Sequence, residues 1–176
     1  MTLRPFRALL SLMSSYFHLR AVPPSALRNS ATWLQRLFED DWDTVRRRID
    51  RHREEMLDHH YVDHDTLYAG APPRRAEEGP RTHVVLGGRP VPHHAPEAPP
   101  FLLLTAAQVT HVAAFLTSTD IETLWHRARD HLVPRYGGPA TEQETHTLIT
   151  STHRDLTAFY QQTAEYGDAV VKCLLR

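Results

Sequence analysis

The sequence predicts an α+β domain, a small mixed or antiparallel sheet of about four strands covered by about five helices. Two observations carry the elements: short apolar, β-branched or aromatic runs of strand length lie at both ends of the chain and near its middle, and one-sided apolar stripes at helical spacing lie between them. The third is their order, β, α, α, β, β, α, α, α, β, which lacks the strict strand and helix alternation of a doubly wound fold.

The first strand is expected over residues 15–22, where Tyr16, Phe17, Leu19 and Val22 precede Pro23 and Pro24. Pro24 suits a first helical turn, and Leu27, Ala31, Leu34 and Phe38 then form one apolar stripe that would pack on the sheet. Glu39, Asp40, Asp41 and Asp43 place negative charge at the positive end of a second helix. Trp42, Val45, Ile49 and Met56 mark the side of that helix expected to be buried, which makes Trp42 a structural residue. Residues 83–86 form a short strand candidate before Gly87 and Gly88, and residues 101–104 form a third strand. Thr105 and Gln108 make a capping box; Thr119 with Glu122 and Thr141 with Glu144 repeat it. The helices so opened carry Ile121, Leu124, Trp125 and Ala128, and then Leu148, Leu156, Phe159 and Tyr160. Gly167 stops the last helix, and residues 169–175 are apolar and β-branched enough to close the sheet.

With 176 residues the chain suits one core, so a single domain over residues 13–176 is expected, preceded by a ragged extension over residues 1–12. A proline-rich loop should occupy residues 69–100, which hold eight of the thirteen prolines, and its first part, 69–80, lacks apolar anchors and should be mobile. The formal net charge of -1 provides no basic field for nucleic acid or an anionic membrane, and no run reaches the roughly 18 apolar residues of a membrane span. Arginine supplies nearly all the positive charge; Lys172 is the only lysine. A single cysteine, Cys173, builds neither a disulfide framework nor a cysteine-rich zinc site, which suits a reducing cytoplasm.

Four stretches resemble the YfbM-like family of bacterial proteins of unknown function: Tyr16-Phe17-His18-Leu19; Trp42-Asp43-Thr44-Val45-Arg46; Val85-Leu86-Gly87-Gly88 with the later Leu103-Leu104-Thr105-Ala106-Ala107-Gln108-Val109; and Phe159-Tyr160 leading to Gly167-Asp168. Together they span nearly the whole chain. Arg46 stands where the family often has histidine, and Arg48 and Ile49 replace its usual Thr-Gly pair. The resemblance implies a fold and an intracellular bacterial setting, and no reaction. It also groups Trp42, Arg46, Gly87, Gly88 and Tyr160 as binding residues.

No catalytic constellation stands out from the residues. In the cluster His59-His60-Tyr61-Val62-Asp63-His64-Asp65, His60 and His64 would share a helix face and Asp63 could add an oxygen ligand to a metal, yet no glutamate-flanked His-Glu-x-x-His occurs, so the cluster is read as a solvated helix end and no metal is expected. His93 and His94 have no second pair at ligand spacing. Cys173 sits in an apolar strand with no histidine near it in sequence, where an inert buried thiol is expected. No Gly-x-Ser-x-Gly elbow, phosphate loop or dinucleotide fingerprint is present, so no cofactor is expected. The arginines between Arg46 and Arg53 belong to a net acidic segment and read as a salt-bridged helix face.

A noncatalytic binding or interaction protein is therefore the leading expectation, with a protein as one possible partner and neither nucleic acid nor membrane. One alternative is an enzyme acting on a small ligand where Trp42, Arg46, Tyr160 and the Gly87-Gly88 turn would converge; another is an immunity or antitoxin-like partner of a toxin.

Overall fold

The computed structural model describes residues 15–175, so the expected extension lies outside the described residues. Five strands of these residues form one antiparallel sheet: β1 (Tyr16–Val22), β2 (Glu54–Leu57), β3 (Arg89–Val91), β4 (Phe101–Leu104) and β5 (Ala169–Leu175), in the order β2-β1-β5-β4-β3. Among the described residues seven α-helices surround it: α1 (Ala31–Arg36), α2 (Trp42–Asp50), α3 (Tyr61–Ala69), α4 (Pro80–His83), α5 (Ala106–Ser118), α6 (Ile121–Leu132) and α7 (Glu142–Glu165). The last strand is central. It pairs with β1 from Tyr16↔Leu175 to Val22↔Ala169, and with β4 from Leu102↔Lys172 to Leu104↔Val170. Being covered on both faces, it needs a nearly continuous apolar run, as its sequence provides.

Strand alternation divides the interior into two layers. Phe17, Leu19, Leu57, Leu104 and Val170 face the larger core, which α3, α5, α6 and α7 complete with Tyr68, Val109, Trp125, Leu156 and Phe159. Val22, Phe101, Leu103, Val171 and Cys173 face the smaller one, roofed by Ala26, Leu34 and the half-buried Leu37 and Phe38. The predicted stripe from Leu27 to Phe38 thus packs on the sheet as expected, although a 3₁₀ turn (Pro24–Arg28) interrupts it before α1.

Several local expectations are corrected. The second helix ends at Asp50, and His52, with φ of 54°, reverses the chain into β2, so Met56 lies on a strand. Its four residues carry little strand propensity; pairing with β1 decides the conformation. Trp42 is 39 % exposed and not the buried anchor expected, because as the first residue of α2 it extends past the face that buries Val45. Residues 83–86 are no strand. They finish α4 and the turn after it, and Val84 and Val85 bury their side chains without joining a ladder; the strand comes later, at β3.

The Thr105–Gln108 capping box forms as predicted, with Gln108 N–H donating to Thr105 Oγ1 at 3.3 Å and Thr105 N–H to Gln108 Oε1 at 2.9 Å. The other two do not. Asp120 caps α6 by accepting from Glu122 N–H at 3.1 Å, and Thr141 turns its hydroxyl to the carbonyls of Tyr136 and Gly138.

Candidate functional site

Lys172 is fully buried in the larger core layer, between Leu19 and Leu102 across the sheet. Its Nζ donates to three backbone carbonyls of the segment after α4: His83 O at 2.5 Å, Val85 O at 2.9 Å and Gly87 O at 2.9 Å. The Tyr160 hydroxyl donates to Val84 O at 2.7 Å from α7, and Asp65 of α3 accepts Leu86 N–H at 3.0 Å and Arg75 Nη1 at 2.6 Å. A segment with no ladder thus has its backbone polar groups satisfied by side chains from three elements. Burial pushes the Lys172 ammonium down to about 7, with the Asp65 carboxylate opposing the shift. Burial also raises the Tyr160 and Tyr68 phenols well above their ordinary values.

Gly87 and Gly88 have a packing reason at this turn. A Cβ on Gly87 would stand 2.3 Å from Thr82 O, and Gly88 has φ of 128° with the site of a Cβ 2.8 Å from Leu103 O. Only glycine lets the turn cross so close to α4 and β4.

The five residues grouped by the resemblance therefore fall into two sets. Tyr160 and Gly87 meet around Lys172, with Gly88 beside β4; Trp42 and Arg46 are exposed on α2, which packs against β2. That helix is joined to the other layer through Arg48, whose Nη1 reaches Glu54 Oε2 at 3.1 Å. Glu54, fully buried, also meets His18 Nδ1 at 3.1 Å, and Asp40 bridges Arg48 at 2.5 Å and Arg20 at 3.2 Å.

The histidine cluster sits at the start of α3. His60 Nδ1 lies 3.2 Å from Asp63 Oδ2, Arg135 Nε pairs with Asp63 Oδ1 at 2.7 Å, and the Tyr136 ring leans against His60 at a tilt of 30° with centroids 4.3 Å apart. His64 is buried rather than solvated, and burial lowers its imidazole to about 4, keeping it neutral at pH 7. Among the described residues no three His, Cys, Asp or Glu side chains gather as a metal site. Cys173 stands opposite His18 on the ladder, a neighbour invisible in sequence, but no hydrogen bond joins them, and burial pushes the thiol up to about 12.

An open cleft of about 360 Å³ lies on the smaller layer. Phe38 and Cys173 provide apolar wall and floor, and the proline-rich segment through His93, Ala98 and Pro99 closes the other side. That segment is fastened: the His93 ring stacks on Phe101 at 5.3 Å, His94 Nε2 is hydrogen-bonded to Thr32 Oγ1, and Ala95 N–H donates to His93 Nδ1 at 3.0 Å. The last bond leaves the proton of a neutral His93 ring on Nε2. Sequence reasoning missed this cleft because its walls are more than 50 residues apart along the chain; the advance signal was the proline-rich segment itself.

No helix among the described residues is long and apolar enough to cross a membrane. No curated protein matches the chain. Its fold is similar to that of YfbM from Escherichia coli, a protein of unknown function, with a TM-score of 0.59 at 15% identity, covering 93% of this chain and 100% of that one. Residues 11–172 match the family described as domain of unknown function DUF1877, and the chain belongs to this YfbM-like family.

Proposed function

We propose that this chain is a noncatalytic binding module that holds a small ligand in the cleft between α1, β5 and residues 93–99. The observation that carries the reading is the fastened proline-rich segment. Proline-rich sequence ordinarily stays mobile, yet here it is pinned by His93 and His94 and forms one wall of a concave, mostly apolar space within the roughly 300–1,000 Å³ range of ligand sites. The strongly shifted groups support the same reading from the other side. Lys172, Tyr160 and Tyr68 are fully buried in the opposite layer, out of reach of a substrate in the cleft, and Cys173, the one shifted group in the cleft lining, is held by burial as the unreactive thiol. A bacterial cytoplasm is the setting we propose, supported by the single cysteine.

The test is a fragment screen by ligand-observed NMR on wild type and on Ala98→Trp, which fills the cleft. Fragments should bind wild type saturably, lose binding to the variant, and be recovered unchanged by mass spectrometry. Chemical conversion of a bound fragment, or equal binding to both proteins, would refute the proposal.

A further inference from the structure

We infer that the ligand of this cleft is a small organic cation, an ammonium or guanidinium group carried on an apolar chain or ring; the inference rests on the binding role proposed for the cleft. Charge is the first reason. Among the described residues, Glu39 and Glu97 are the charged side chains of the lining, and no arginine or lysine of those residues joins them. The Glu39 carboxylate is exposed and accepts one bond, from Gln35 Nε2 at 3.2 Å, and Glu97 is exposed with no hydrogen-bond or ion-pair partner among the described residues. Both retain acceptor capacity at the mouth, where an anionic ligand would meet uncompensated like charge.

The second reason is aromatic. Phe38, Phe101 and His93 form a stacked series, with centroids 6.4 Å apart for the first pair and 5.3 Å for the second, and Phe38 and His93 themselves line the cleft. Ring faces attract cations through their quadrupole, most strongly for weakly hydrated groups such as alkylated ammonium and guanidinium. The Ala95 N–H donates to His93 Nδ1, which holds the ring against Phe101. An apolar floor with two carboxylates at the rim matches a ligand that has an apolar body and a positive end. A free small molecule fits the limited volume, about 360 Å³, better than an extended peptide.

The experiment titrates the full chain at low ionic strength with three probes of similar shape: 2-phenylethylammonium, the anion 3-phenylpropionate, and uncharged 2-phenylethanol. Two-dimensional NMR follows Phe38, His93, Ala98 and Leu175. The cation should shift these signals saturably and bind more tightly than the other two. The double variant Glu39→Gln/Glu97→Gln should lose about fivefold to tenfold of cation affinity while leaving 2-phenylethanol binding unchanged, the effect expected of two exposed charge pairs. Tighter or equal binding of 3-phenylpropionate overturns the inference, as does undiminished cation preference in the double variant. If the neutral probe alone saturates the cleft, the binding role stands and the cation inference falls. If no probe moves these signals the inference falls as well, and the binding role is then judged by Ala98→Trp in the fragment screen.

Discussion

Replacing Lys172 with methionine isolates the role of the buried ammonium, because the two side chains have similar length and bulk and the layer stays filled. Three carbonyls lose their donor. His83 O keeps the Tyr160 hydroxyl at 3.3 Å, whereas no other side-chain donor among the described residues reaches Val85 O or Gly87 O. Two stranded buried acceptors cost about 1–3 kcal/mol each, and the methionine partly offsets this by sparing the desolvation of an ammonium. The expected net loss is about 2–4 kcal/mol, or a Tm lower by about 5–15 °C for a domain of this size. Urea denaturation at pH 7, followed by circular dichroism and tryptophan fluorescence, measures it. The pH dependence has a definite sign. The folded pKa, about 7, lies below the ordinary value of 10.5, so between these values the unfolded chain binds more protons and the stability contributed by Lys172 rises with pH. The advantage of wild type over Lys172→Met should therefore be smallest below about pH 7 and grow toward about pH 10. A variant as stable as wild type at pH 7 would refute the role of the three carbonyls, and a pH-independent difference would refute the lowered pKa.

Trp42→Ala should cost about 1 kcal/mol or less in chemical denaturation, the level of a surface site, since the side chain is 39 % exposed; a loss above about 3 kcal/mol would show that the ring is buried after all. Tyr160→Phe removes the donor to Val84 O and should destabilise by about 1–2 kcal/mol, with the ring position in the core unchanged by NMR. Glu54→Gln strands Arg48, which keeps Asp40 and some solvent; a loss of about 2 kcal/mol, below the full penalty for breaking a buried pair, is expected in the same urea assay. Chelators should leave the melting midpoint unchanged; a fall reversed by zinc would make the His59 to Asp65 cluster a metal site.

The chemistry-bearing residues show where sequence reasoning stopped. Cys173 and His18 are far apart in the chain and adjacent on the ladder, and Glu54 reaches His18 because an unforeseen strand, β2, carries it there. Lys172 drew notice as the only lysine, but nothing local marks a lysine as the ligand of three carbonyls from a distant turn. Trp42 misled for a related reason. Helical spacing tells which residues share a face, and cannot tell how far along a helix its covering layer extends.

What the sequence determined alone is whatever short-range physics decides. The strands β1, β4 and β5 follow from apolar runs with clear stops, and α5 from a capping box whose two bonds close within four residues. Class and family follow from those elements and from motifs spread along the chain. Tertiary structure decided β2, the turn after α4 and the cleft. Residues 54–57 become a strand because β1 offers an unpaired edge, and Val84 and Val85 stay out of the sheet because Lys172 and Tyr160 already hold the carbonyls of that turn. Hydrogen-bond partners from distant parts of the chain outweigh the small propensity differences that a local reading can weigh, so these elements exist only once the sheet has assembled.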